Sequence, residues 1–182
     1  MRKFEFNSGS LCLDLVDTLA NRNGDPVELL ATPTELDQWF ASPELWFSFE
    51  VRSVRTHLSA ILALRACIYR LAIGVIEGLE DHPRDIALLN KWSRKMPMRP
   101  IVDHGVIAFG AAKMIDAALS TISADAIELM FGPRRARIRQ CPECGMIFVD
   151  NSRPGLRRWC SSVSGCGNRA KVRKHRAVHQ SN

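Results

Sequence analysis

Leucines at 11, 15 and 19 recur at steps of four, with Cys12 and Val16 beside them, and predict a helix over 11–19. Asp14 and Asp17, three apart, fall on one side of it. Residues 21–25 are polar, and Asn23-Gly24 marks a turn. Thr32-Pro33-Thr34-Glu35 has the form of a helix start, with Thr32 as cap, Pro33 in the first turn and Glu35 closing a capping box. Leu36, Trp39 and Phe40 give that short helix its apolar side. Ser42-Pro43-Glu44 repeats the start signal and predicts a further segment. The longest apolar periodicity runs over 54–79, where Leu58, Ile61, Leu62, Arg65, Ile68, Tyr69, Ala72, Ile76 and Leu79 are spaced by three and four. Asp81-His82-Pro83 interrupts it, and a helix restarts over 86–92. Pro97 and Pro100 end helical structure. Residues 101–107 read as a hairpin around a glycine-containing turn. Residues 111–131 return to helix and stop at Gly132-Pro133.

Beyond that stop the pattern changes. Arg135, Arg137 and Arg139 alternate with Ala136, Ile138 and Gln140, which is the period of a strand with a basic face. Residues 146–149 form a second apolar run, 150–155 are rich in turn formers, and 156–159 read as a returning strand. The chain thus divides into a mainly helical unit with one hairpin over 1–132 and a small hairpin-plus-helix unit over 133–182.

Length and composition fit one domain with a small appendage. The chain has 182 residues, of which 46% are hydrophobic and 24% charged. No uninterrupted apolar run has the ~18 residues of a membrane span, and the first residues lack the apolar stretch of a signal peptide. The expectation is a cytoplasmic protein without a membrane partner, whose cysteines are thiols or metal ligands. The net charge of +6 is unevenly placed: residues 1–132 hold 13 Lys/Arg against 17 Asp/Glu, and residues 133–182 hold 12 against 2. A mildly acidic body with a strongly basic tail fits a polyanionic partner or a solubilising tail, and composition alone favours neither.

Four of the six cysteines supply the chemistry. Cys141 and Cys144 are separated by two residues, Cys144 and Cys160 by fifteen, and Cys160 and Cys166 by five. A pair spaced by two wraps one ion from a tight turn, and Gly145 permits the close backbone approach. Knuckle, hairpin and helix in this order are the layout of a treble-clef-like zinc module. Four thiolates favour one tetrahedral Zn²⁺ and leave no open position for water, which makes the metal structural. Four cysteines can also hold an iron–sulfur cluster, but the tighter spacings of ferredoxin runs are lacking. His175 and His179, four apart, form a competing pair, but thirty residues separate Cys144 from His175, against ~12 in Cys₂His₂ fingers. Cys12 and Cys67 read as buried apolar side chains, and His57, His82 and His104 show no ligand spacing. Trp159 and Phe148 read as the core of the small module.

After Cys166 comes a basic segment in which Arg169, Arg173 and Arg176 align on one helical stripe, broadened by Lys171 and Lys174. Arg157 and Arg158 add charge just before Cys160. A zinc-pinned helix with this face can enter a major groove or lie along phosphates. Asn168 and Arg169 at its start can reach base edges, but side chains at such density read phosphate before sequence. Asp14, Asp17 and Thr18 have two readings: lining of a small-molecule pocket, or pairing and capping inside the helix. No Ser/His/Asp set, glycine-rich phosphate loop or open metal site is present, so a non-enzymatic protein is expected.

Cys141-Pro142-Glu143-Cys144, Asp150, Ser152-Arg153, Arg157-Arg158-Trp159-Cys160-Ser161 and Cys166-Gly167-Asn168-Arg169-Ala170-Lys171 closely resemble the CGNR zinc finger. Residues 9–18 resemble the opening of the ABATE domain, which commonly precedes it. The sequence departs from the family pattern at Asp17, where asparagine is common, and by one extra residue between Cys160 and Cys166. The resemblance implies a stress-induced bacterial transcription regulator that binds DNA, with a helical unit that dimerises or senses a small-molecule effector. The alternatives are an RNA-binding protein and a zinc-stabilised protein–protein module, for which basic zinc hairpins serve equally.

Overall fold

A computed structural model describes residues 4–161 and 165–180, with side chains up to residue 177 on the last helix. The chain is mainly helical. It runs α1 (Leu11–Val16), β1 (Leu19–Ala20), β2 (Val27–Glu28), α2 (Pro33–Phe40), α3 (Arg55–Glu77), α4 (Pro83–Ser93), β3 (Arg99–Asp103), β4 (Val106–Gly110), α5 (Met114–Phe131), a 3₁₀ turn (Pro133–Arg137), β5 (Ile138–Gln140), β6 (Ile147–Val149) and α6 (Cys166–Gln180). The strands pair as antiparallel two-stranded units, β1 with β2, β3 with β4 and β5 with β6.

α3 is the central helix. Its buried stripe of Leu58, Ile61, Leu64, Ile68 and Leu71 packs with α1, α4 and α5. By length and composition α3 could cross a membrane, but its apolar side chains form the core of this fold. Thr32 and Glu35 make the expected capping box, so α2 starts where the sequence places it. His57 and His82 are cap acceptors: their ring nitrogens receive the backbone N–H groups of Val54 (3.3 Å) and Arg84 (3.2 Å).

Four local expectations are corrected. The first helix stops at Val16, because Leu19 and Ala20 pair with β2. Ser42-Pro43-Glu44 starts no helix; Leu45 and Phe47 turn inward at a spacing of two, and Phe49 donates to the Phe40 carbonyl. Residues 133–137 form a 3₁₀ turn, with the Arg135 N–H on the Gly132 carbonyl, and the alternating strand is confined to 138–140. Finally, β6 pairs with β5 across the cysteine knuckle rather than with 156–159. The carboxylate of Asp150 takes the N–H of Arg157 at 2.8 Å and that of Ser152 at 2.9 Å. That pair of bonds curls 150–157 into a loop and leaves no returning strand.

The β5–β6 hairpin joins two cores. Ile138, Ile147 and Val149 belong to the helical core, while Phe148, on the opposite face of β6, packs with Met146, the cysteines and Trp159. Alternation along a single strand thus feeds both sides. The N–H of Val149 donates to the Ser8 carbonyl at 2.7 Å.

Candidate metal centre and nucleic-acid interface

The knuckle is a tight turn between β5 and β6. The N–H of Cys141 donates to the Met146 carbonyl (2.8 Å), and the N–H of Gly145 to the Cys141 carbonyl (2.9 Å). Gly145 has φ +74°, and a Cβ there would lie 2.7 Å from Asn23 Oδ1 and 3.0 Å from Arg22 Cβ. Both the conformation and the close approach require glycine. Asn23, in the loop between β1 and β2, donates its Nδ2–H to the Pro142 carbonyl at 3.3 Å. The helical unit therefore touches the knuckle directly.

The sulfurs of Cys141, Cys144, Cys160 and Cys166 all lie within 4.8 Å of one another, and Cys144 and Cys160 are 3.6 Å apart. A ZnS₄ tetrahedron with 2.3 Å bonds has edges of ~3.8 Å. The donor set therefore fits one tetrahedral ion after small adjustments, and all four sulfurs are buried or nearly so. The neighbouring Cys144 and Cys160 thiols lower the Cys141 thiol, and the Cys144 thiol is correspondingly pushed up. These four residues hold one structural zinc. His175 is exposed on α6 and stands outside this cluster, and the side chain of His179 lies outside the described residues.

Asp150 is buried and organises the loop that carries Cys160. Its bonds from Ser152 and Arg157 lower its carboxyl to about 2. Arg157 serves the interior. Its guanidinium lies 4.4 Å from the Phe148 ring centre, and its Nε donates to the Trp159 carbonyl at 2.8 Å. Arg158 is exposed over Trp159, 5.3 Å from the ring centre.

α6 starts at Cys166, so the metal fixes its first turn. Arg169 and Arg173 turn toward the knuckle, where Glu143 accepts from both guanidinium nitrogens of Arg173 and lies 3.5 Å from Arg169 Nε. Arg169 also donates to Cys166 Sγ at 3.3 Å. The arginine stripe read from the sequence thus begins on the side that pins α6 to the knuckle. On a helix, Lys171 and Lys174 point away from that side. Both are exposed, as are Asn168 and Arg176, and none of the four ion-pairs among the described residues. Sequence reasoning missed Glu143; its signal was an isolated acid in a strongly basic tail.

Asp14 and Thr18 have hydrogen-bond partners inside the protein. Asp14 accepts from the Ser8 N–H (3.1 Å) and hydroxyl (2.6 Å). Thr18 donates to the Leu15 carbonyl and accepts from Arg65 at 3.0 Å. The Ile147 N–H favours the Asp17 carboxylate, while Asp17 Oδ2 is buried without a hydrogen-bond partner among the described residues. Asp125 of α5 caps α1, accepting from the Ser10 hydroxyl at 2.6 Å and the Cys12 N–H at 2.8 Å. Burial drives Asp14 up to about 6, partly offset by the Ser8 bonds, and drives Asp17 well above the ordinary carboxyl range.

A pH dependence follows. A carboxyl raised in the folded state holds its proton longer there than in the unfolded chain. Its contribution to stability is complete below about pH 4 and is lost as pH rises through about 6. Asp14→Asn removes that loss, so at pH 7.5 the variant should be more stable than the parent by about 1–3 kcal/mol, with little difference at pH 4. Thermal melts of both proteins across this range read the difference; an equal gap at both ends would contradict the assignment.

Residues 9–133 match the ABATE family, described as "Putative stress-induced transcription regulator", and residues 137–179 match the CGNR zinc finger. No curated protein matches the chain. The first match covers well over half of the sequence and the second contains all four zinc ligands, so the chain belongs to the ABATE family and carries a C-terminal CGNR zinc finger.

Proposed function

We propose that this chain is a cytoplasmic, non-enzymatic transcription regulator that binds duplex DNA through its zinc module. The helical unit, 1–132, serves dimerisation or effector sensing, and 133–182 contacts DNA. The observation that carries this reading is the set of basic side chains that α6 leaves exposed and outside the Glu143 ion pairs. Lys171, Lys174 and Arg176 stand exposed on a helix whose first turn belongs to the metal centre. Arg158 and Asn168 flank them, and all are long or polar donors suited to phosphate oxygens. Arg169 and Arg173 orient the helix through Glu143. Arg157 supports the loop from within.

Glu143 is then an internal anion that competes with phosphate for two arginines. Glu143→Gln should bind duplex DNA several-fold more tightly, with a salt slope steeper by about 1–2, as expected for one or two additional phosphate contacts. An unchanged slope would mean that Arg169 and Arg173 stay against the knuckle when DNA is bound. The reading itself is tested by fluorescence anisotropy of the zinc-loaded protein on matched duplex DNA, duplex RNA and single strands. Preference for duplex DNA supports it, and preference for RNA replaces DNA as the partner.

A further inference from the structure

We propose that two copies of this chain associate through the β3–β4 hairpin, edge to edge along β4. The hairpin carries the densest run of exposed apolar side chains among the described residues. Val102 is 82% exposed, Ile107 76% and Val106 65%. Val102 and Ile107 are cross-strand partners, Phe109 follows on the same face, and the half-exposed Trp46 ring stands edge-on to Phe109 at 4.7 Å. These four side chains form one continuous apolar stripe. A two-stranded hairpin is marginal in water by itself, and an apolar edge invites another strand.

The two edges of the hairpin differ. The turn residues His104 and Gly105 have φ of +45° and +79°, a two-residue turn of the type I′ class. In such a hairpin the flanking Asp103–Val106 pair exchanges hydrogen bonds, and the alternation then leaves the N–H and C=O of Ile107 and Phe109 pointing outward from β4. On β3 the outward positions are Pro100 and Val102. Pro100 has no N–H to offer, and Arg99 and Asp103 place charges on that strand. β3 is therefore a blunted edge. β4, Val106–Gly110, keeps every donor and carries no charge.

The open edge fits a second copy of itself. Laid antiparallel about Ala108, β4 sets Ile107 of one copy opposite Phe109 of the other, Val106 opposite Gly110, and Ala108 opposite Ala108. Large side chains meet as β-branched–aromatic pairs, and the small ones sit at the twofold axis. Each chain carries +6, and this neutral strip lets two like-charged chains meet without burying a charge. Once β4 is paired, the outer edges are the blunted β3 strands, so growth stops at two. The proposal is independent of what the zinc module binds.

Light scattering of the full-length zinc-loaded protein tests it. The expected mass is twice 20.4 kDa, and Ile107→Lys should weaken association at least ~10-fold with an unchanged circular dichroism spectrum. Ala108→Cys places two thiols across a non-hydrogen-bonded pair with Cα atoms about 4.5 Å apart, within disulfide reach. Mild oxidation should then give a covalent dimer, absent when Ile107→Lys is added and absent for Ala112→Cys. A monomeric parent at every concentration overturns the proposal, whatever else the hairpin binds. So does a dimer that survives Ile107→Lys and fails to cross-link through Ala108→Cys.

Discussion

Cys160→Ser should release zinc and melt the outer half of the module while the inner half stays folded. Structural zinc contributes on the order of 10 kcal/mol in finger peptides at neutral pH. The outer half, made of the 150–161 loop and α6, rests on the metal, Phe148, Trp159 and the Glu143 ion pairs. The β5–β6 hairpin does not share that fate. Ile138, Ile147 and Val149 lie in the helical core, and Val149 is bonded to Ser8. Hydrogen exchange read by mass spectrometry should show α6 losing all protection, with the amides of 147–149 and α3 still protected. Loss of protection throughout the chain would mean that metal and helical core form one cooperative unit. Protection of α6 without zinc would contradict the metal's role.

The second large effect lies in the helical unit. Arg65 sits within the apolar stripe of α3 and is 7% exposed. Its guanidinium donates to Thr18 Oγ1 at 3.0 Å and to the two Glu28 oxygens at 2.7 and 2.5 Å. Arg65→Ala leaves a cavity and an unpaired carboxylate, while the Thr18 hydroxyl keeps its bond to the Leu15 carbonyl. Breaking one side of a buried pair costs about 3–5 kcal/mol. Glu28 keeps a third of its side chain in water, which favours the lower end, about 3 kcal/mol. The melting temperature should fall by about 6–12 °C for a chain of this size. Arg65→Met combined with Glu28→Leu, which removes both charges, should recover most of that loss. A double variant as unstable as Arg65→Ala would show that the apolar packing, not the stranded charge, sets the cost.

The metal ligands were legible because their spacing is covalent. Two residues between Cys141 and Cys144 leave one geometry for a shared ion, and the later cysteines complete the set wherever the intervening loop runs. The loop itself was not legible. Residues 156–159 have a strand's composition, yet the Asp150 carboxylate captures the Arg157 N–H and makes the strand's ladder unavailable. The stripe of Arg169, Arg173 and Arg176 was legible as a stripe, since helical periodicity fixes it. Its partner was not, because Glu143, thirty positions before Arg173, pairs with two of its arginines at the knuckle. The clue was the scarcity of acid in the tail: Glu143 and Asp150 are the two acidic residues of 133–182, and both are structural anchors. Arg65 falls in the apolar periodicity of α3, and nothing in the sequence pointed to Glu28 as its partner.

The most direct measurement is the salt dependence of duplex-DNA affinity for the zinc-loaded parent and for the triple variant Lys171→Gln, Lys174→Gln, Arg176→Gln. If these unpaired basic side chains of α6 hold phosphates, the parent binds with a steep slope, and the variant's slope is shallower by about 2–3 with zinc content unchanged. Equal slopes, or no binding by the parent at low salt, would contradict a nucleic-acid role for these side chains.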